Sequence, residues 1–141
     1  MAFTYPRNIR WECQRCTLCC GDTHKRKRLI LLLETEVKRI KTRTNRRVDE
    51  FATSISKFNS YKYQLRKRSS DGKCIFLRGN DCSIYDFRPL ICRFYPFWLE
   101  KLGSRKYVFK VSAECPGIDH GQVLNRKFFS KLFNKAVEAL E

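Results

Sequence analysis

Leu29-Ile30-Leu31-Leu32-Leu33 is an unbroken aliphatic run set between four cations and a polar stretch. A run this short with no polar face predicts a buried strand. Thr35 is placed to cap a helix from Glu36 onward, with Val37 and Ile40 facing inward, Lys38, Arg39, Lys41 and Arg43 facing water, and Asn45 ending it. A second helix is expected from about Val48 to Phe58, where Val48, Phe51, Ile55 and Phe58 recur at spacings of three and four. The period then changes to two. Tyr61, Tyr63 and Leu65 alternate with Lys62, Gln64 and Arg66 up to Arg68, the pattern of a strand with one wet, basic face. After the turn Ser69-Ser70-Asp71-Gly72, Cys74–Leu77 and Cys82–Tyr85 flank Arg78-Gly79-Asn80-Asp81 and read as a tight hairpin. Tyr107–Val111 is a further strand, followed by the turn Cys115-Pro116-Gly117-Ile118. From about Gln122 the chain reads as a helix, with Leu124, Phe128, Leu132, Ala136 and Leu140 every fourth residue and Phe129, Phe133 and Val137 widening the stripe. The pattern predicts one α+β domain over residues 1–141. It has a small antiparallel sheet with the hairpin 74–85, flanking helices and a C-terminal docking helix.

Half of the eight cysteines lie in Cys13-Gln-Arg-Cys16-Thr-Leu-Cys19-Cys20. A C-x2-C loop curls back on itself and aims two sulfurs at one metal ion or cluster, and the step from Cys16 to Cys19 adds a third. Neighbouring side chains do not easily reach the same centre, which gives Cys19 and Cys20 different tasks. One ligates this centre, while the other serves a second centre or stays a buried thiol. Cys74, Cys82, Cys92 and Cys115 are spread over the second half, as expected of ligands brought in by folding. All eight are candidate metal ligands.

A chain of 141 residues buries about two thirds of its unfolded surface. It therefore does not need its cysteines as staples. The opening MAFTYPRNIRWECQRC lacks the apolar run of a secretory signal, and Leu29–Leu33 is far too short to cross a bilayer. A cytoplasmic protein is expected, where clustered cysteines are more often metal-binding or catalytic than disulfide-bonded.

Lys and Arg number 30 against 14 Asp and Glu, a formal charge of +16, and residues 1–72 alone carry 18 cations and 7 acids. A field of this sign attracts nucleic acid, anionic membrane or acidic protein. Lys25, Arg26, Lys27 and Arg28, then Arg39, Arg43, Arg46 and Arg47, then Arg66, Lys67 and Arg68 interleave with Tyr61 and Tyr63. This is the pattern of a phosphate-contacting face with stacking residues, so RNA or an acidic protein is the expected partner. No groove-reading helix or RNP-type motif accompanies it.

Taken in order, Cys13-x2-Cys16-x2-Cys19-Cys20, the hairpin Cys74–Leu77 with Cys82–Tyr85, Arg88-Pro89-x2-Cys92-Arg93-x-Tyr95-Pro96-Phe97 and Cys115-Pro116-Gly117 resemble the YkgJ-like cysteine-cluster family. The resemblance runs from about Cys13 to Gly121. It implies a zinc- or iron-chelating domain whose cysteines carry over onto all eight positions here. Some related domains accompany flagellin lysine N-methylases, a setting for which an iron-sulfur cluster has been proposed. This chain has no Gly-rich strand-to-helix loop followed by an acidic residue, so no complete methyltransferase is read in it.

Two kinds of centre fit the cysteines. Structural zinc takes four Cys or His ligands, so eight thiols suffice for two sites. The C-x2-C-x2-C spacing also matches the loop that grips a [4Fe-4S] cluster with a fourth, distant thiolate, and it favours iron-sulfur or iron over zinc for this loop. Phe87, Phe94, Tyr95, Phe97 and Trp98 are expected mostly as core, and also as a shell that keeps water from a cluster. Arg88 and Arg93 would donate to cluster sulfurs or pair with Asp86. His24 is a substitute ligand at best, and His120 reads as a surface turn residue. The expected function is metal binding with a structural, redox or carrier role. One alternative is an RNA- or ribosome-associated protein in which the metal fixes the fold. Another is a thiol-dependent redox enzyme using a low-pKa cysteine beside Arg15 or Arg93, for which loss of turnover in Cys20→Ser or Cys92→Ser is the mark, although no complete catalytic motif is present.

Overall fold

A computed structural model describes residues 2–58 and 60–140. In chain order the elements are β1 (Ala2–Thr4), β2 (Arg10–Trp11), a 3-10 turn (Leu18–Cys20), β3 (Leu31–Leu33), α1 (Glu34–Thr44), α2 (Val48–Phe51), β4 (Ala52–Phe58), β5 (Tyr61–Leu65), β6 (Leu77–Arg78), β7 (Asp81–Cys82), a second 3-10 turn (Tyr85–Phe87), α3 (Leu90–Phe94), β8 (Phe97–Lys101), β9 (Lys106–Val111), β10 (Ile118–Val123) and α4 (Arg126–Leu140). The class is α+β. The residues gather into two compact units, one of residues 17–92 and one of residues 1–16 with 93–141.

In the unit of residues 17–92, β5 lies between β3 and β4 in an antiparallel sheet. The pairs Leu32↔Tyr63 and Ala52↔Leu65 turn those side chains to one face. That face joins Val37 and Ile40 of α1, Phe51, Phe76 and Ile84 in a continuous core. The helix α1 begins two residues earlier than its predicted first residue. Glu36 explains this, because its carboxylate reaches back to accept the Leu33 N–H at 2.9 Å, satisfying one of the donors a helix start leaves open. Asn45 ends α1 in the left-handed region at φ 56, as the sequence suggests.

The helix expected over Val48–Phe58 stops at Phe51. Beyond it Thr53, Ser54, Ile55 and Ser56 are poor helix formers, and β4 pairs with β5 instead. The side chain of Phe58 lies outside the described residues. The hairpin is shorter than read: β6 and β7 pair only at Leu77↔Cys82 and Arg78↔Asp81, with Gly79 at φ 60 making the bend.

In the other unit, β9 pairs in parallel with β1 and antiparallel with β8, while β10 pairs with β2. The helix expected from Gln122 starts at Arg126, because Ile118–Val123 is drawn into pairing with β2. Asn125 Oδ1 then accepts the Phe128 N–H at 3.1 Å and opens the helix. Phe129, Leu132, Phe133 and Ala136 are the buried face of α4, and Leu140 lies outside it. Phe129 stacks on Tyr5 and meets Phe97 and Phe109 edge-on, so α4 docks through rings.

Candidate metal centre

Five cysteines, Cys19, Cys20, Cys74, Cys82 and Cys92, belong to the unit of residues 17–92, and Cys13, Cys16 and Cys115 belong to the other. The division passes through the C-x2-C-x2-C-C motif itself. Two cysteines share one local geometry, in which the backbone N–H two residues on points at the sulfur: Arg15 N lies 3.4 Å from Cys13 Sγ and Phe76 N 3.5 Å from Cys74 Sγ. The Ile84 backbone acts in the same direction on Cys82, against its burial. Such donors stabilise a thiolate relative to a thiol, as they do around metal-bound sulfur.

The 3-10 turn of Cys19 and Cys20 is held from outside by cations. Arg26 donates through Nη2 to Leu18 O at 2.7 Å and through Nη1 to Gly21 O at 3.3 Å. Arg28 Nε donates to Cys19 O at 3.1 Å, and Lys73 Nζ to Thr17 O at 3.3 Å. Asp22 Oδ1 accepts both the Arg28 N–H at 2.6 Å and Lys67 Nζ at 2.8 Å. The Cys74 N–H donates to Cys20 O, which ties the turn to the hairpin. Gly21 belongs here for steric reasons, since a Cβ on it would run into the Gly72 carbonyl and Lys73 Cα.

Six of the cations expected to face nucleic acid have polar partners within the fold. In the run Lys25–Arg28, Lys25 and Lys27 are exposed while Arg26 and Arg28 turn toward carbonyls. Lys25 sits in the turn closed by Thr23 and Arg26, and exposure alternates along the rest of the run, which a charge-only reading cannot see. Lys67 pairs with Asp22, and Arg68 with Asp71 at 2.9 Å and with Leu77 O at 2.8 Å. Arg66 is exposed and donates to Asp49 O, and Arg47 is exposed beside Asp49 and Glu50.

Cys19 Sγ and Cys20 Sγ are 3.8 Å apart, so the two neighbours converge where divergent side chains are expected from their adjacency. The Cys20 thiol hydrogen-bonds the Cys19 sulfur and holds its pKa at about 6, with the Arg28 and Arg26 charges adding to the effect against burial. Cys20 is pushed far up by the same hydrogen bond, by burial and by the charges of Cys19, Cys74 and Cys82. Burial pushes Cys74 up to about 11 and raises Cys82 and Cys92 as well. Cys92 feels Arg28, Cys74, Cys19 and Cys82. The surroundings of Cys20 and Cys92 thus favour the thiol, and those of Cys19 favour the thiolate.

Two thiolates on one tetrahedral zinc, with bonds of about 2.3 Å, lie roughly 3.8 Å apart. The Cys19–Cys20 pair has that spacing, and the donor set suits a thiophilic ion. Among the described residues no group of three or more Cys, His, Asp or Glu stands in an arrangement that holds a metal ion. The other three thiols differ in setting. Cys13 and Cys16 are exposed, whereas Cys115 is buried and accepts the Trp11 indole N–H at 3.3 Å. His24 and His120 lie outside the core.

The aromatic segment divides between the two units. Phe87 packs against the core of residues 17–92, while Phe94 and Phe97 join the rings of the other unit. Trp98 is 45% exposed and donates to Glu100 Oε1 at 3.2 Å. Glu36 escaped the sequence reading. It is buried and also accepts the Leu90 N–H at 2.6 Å, fixing the start of the helix that carries Cys92. Its signal was a carboxylate on the inward side of α1, between Leu33 and Val37.

No helix among the described residues is long and apolar enough to cross a membrane. Two proteins of Methanocaldococcus jannaschii are similar to this chain. The uncharacterized protein MJ0661 is 32% identical over 95 residues, covering 66% of this chain and 48% of its own length. The uncharacterized protein MJ0939 is 26% identical over 140 residues, covering 96% of this chain and 45% of its own length. The chain thus spans just under half the length of these relatives. No solved structure matches it. The CxxCxxCC family model, described as "Putative zinc- or iron-chelating domain", matches residues 12–116. Both boundaries of the thiol-rich unit fall inside that match, and the chain belongs to the CxxCxxCC family.

Proposed function

We propose that this chain binds a zinc or iron ion through thiolates of the unit of residues 17–92, with Cys19, Cys20, Cys74 and Cys82 as ligands and Cys92, half-buried, as the fifth thiol of that unit. The observation that carries this reading is the 3.8 Å approach of Cys19 Sγ to Cys20 Sγ within a unit holding three further cysteines. The backbone donors at Cys74 and Cys82 and the cations Arg26 and Arg28 support it, because each favours sulfur in its anionic, metal-binding form. A metal held there joins the 3-10 turn to the hairpin, so its role is first structural. The close pair favours a single ion over a [4Fe-4S] cluster, in which each thiolate binds a different iron.

The test is metal and acid-labile sulfide content of the full chain purified without oxygen, beside Cys74→Ser and His24→Ala variants. We expect zinc or iron without sulfide, lost in Cys74→Ser and retained in His24→Ala. Iron and sulfide in equal amounts would replace the single ion with a cluster. A metal-free protein, or equal loss in both variants, would overturn the ligand assignment.

A further inference from the structure

A second feature of the same unit makes no use of the cysteines. Three guanidinium groups lie over aromatic rings: Arg43 at 4.7 Å from the Phe87 centroid, Arg46 at 5.9 Å from Phe76, and Arg88 at 4.0 Å from Tyr85. Phe87 and Tyr85 belong to one 3-10 turn, so Arg43 and Arg88 meet at it. Arg39 is exposed on α1 four residues before Arg43, a step of roughly 6 Å along the axis on the same face. Tyr85 is 55% exposed, an unusual setting for a ring. Arg88 is anchored there by donating from Nη1 to Tyr85 O at 2.7 Å. Ion pairs in this unit hold Lys38, Arg47, Lys67 and Arg68.

We infer that Arg39, Arg43, Arg46, Tyr85 and Arg88 form a binding site for single-stranded nucleic acid. Guanidinium is the cation whose planar N–H fork matches a phosphate in two bonds and whose flat face also stacks. Laid on a ring, it spends its face on the protein and keeps its edge for an anion, with less rotamer freedom to lose on binding. Three arginines held this way, with a fourth one turn along α1, form a short track of phosphate sites. The exposed Tyr85 ring is the element a phosphate track alone does not need. Arg88 covers one side of it at 4.0 Å, and the ring surface that a 55%-exposed Tyr85 still presents is a platform for an unpaired base, which a duplex does not offer. The site is narrower than the chain's overall +16 charge. Arg26, Arg28, Lys67 and Arg68 serve the cysteine turn and the hairpin, whereas Lys25 and Lys27 are simply exposed.

The experiment is a titration of labelled oligouridylate, and of the DNA oligomer of equal length, with the full metal-loaded chain across a salt series. Vesicles containing anionic phospholipid form a parallel arm. Removing two phosphate-binding groups with Arg39→Gln and Arg43→Gln together should weaken oligonucleotide binding about tenfold or more and flatten the logarithmic salt dependence by roughly 0.7 for each phosphate no longer neutralised. Lys25→Gln with Lys27→Gln removes the same charge and should weaken it less than about threefold. Tyr85→Ala should cost about five- to tenfold or more with the salt slope unchanged, and Tyr85→Phe should restore binding. Arg88→Lys separates charge from stacking and should behave like Tyr85→Ala. Metal content and thermal midpoint, unchanged in all of these, show that the metal site has not been disturbed. Equal losses in the two glutamine pairs, no binding at low salt, or binding to the vesicles alone would overturn the inference. RNA and DNA bound alike would place recognition in phosphate and base, and a preference for RNA would add the 2′-hydroxyl.

Discussion

Arg28 Nε donates to the carbonyl oxygen of Cys19 across 3.1 Å, placing a guanidinium on the backbone of the residue whose sulfur is held as a thiolate. The contact explains a cation beside a cysteine cluster without invoking a partner. The backbone of Arg28 is fixed in turn by Asp22, so the side chain arrives already oriented.

Replacing Arg28 by Gln removes a charge-assisted bond to the turn and should lower unfolding free energy by about 1.5–3 kcal/mol. Urea denaturation of the metal-free chain measures it. A variant as stable as the parent would mean the turn is held without Arg28.

Cys19 should be the first cysteine of residues 17–92 alkylated by iodoacetamide in the reduced, metal-free chain, since the thiolate is the reactive form. Its rate should rise through about pH 6 and level off above, while Cys74, held up to about 11, lags throughout. Peptide mapping reads the order, and Cys74 or Cys92 labelled ahead of Cys19 would contradict it.

The same shift fixes a sign for stability. Between about pH 6 and the ordinary thiol value of 9.0 the unfolded chain holds a proton at Cys19 that the folded chain has released. The contribution of Cys19 is therefore complete above 9.0 and is lost as pH falls through about 6. Cys20 runs the other way, its raised proton affinity stabilising below 9.0 and fading at higher pH. Urea midpoints of the metal-free chain should rise from pH 6 to pH 8, and Cys19→Ser should remove that rise.

Glu36 accepts from Leu33 N and Leu90 N inside the core of residues 17–92. Glu36→Ala leaves two amides without their acceptor and should cost about 1–3 kcal/mol for each one that stays buried. Glu36→Gln keeps one oxygen and should cost less. Because Leu90 opens α3, the alanine variant should also make Cys92 more accessible to a thiol reagent, a readout separate from the melt.

Phe129 is fully buried between Tyr5, Phe97 and Phe109. Phe129→Ala should cost about 3–5 kcal/mol in the unit that α4 completes. Leu140→Ala, at the exposed end of α4, should change stability by less than about 0.5 kcal/mol. Chemical denaturation of the two variants side by side checks the docking face.

Local pattern alone was enough for much of the fold. The aliphatic run became β3, the alternation at Tyr61–Leu65 became β5, Asn45 ended α1, and the stripe of Phe129, Leu132 and Phe133 became the docking face of α4. Each depends on a period or a cap that a short stretch of neighbouring residues decides. The family was legible for a similar reason, since its signature is cysteine spacing and spacing needs no coordinates. Val48–Phe58 and Ile118–Val123 depart from the local pattern because a strand exists only when another strand pairs with it. The partners, β5 and β2, are supplied by the fold.

Tertiary structure decided which thiols share a unit, that Cys19 and Cys20 face each other, and that Arg26 and Arg28 of the run Lys25–Arg28 turn toward carbonyls. It also set arginines on Phe87, Phe76 and Tyr85, bringing Arg43 of α1 to a ring far along the chain. Sequence determines what each side chain is able to do. Which of those abilities meet depends on long-range packing, because distance through space is set by the closed core and not by separation along the chain.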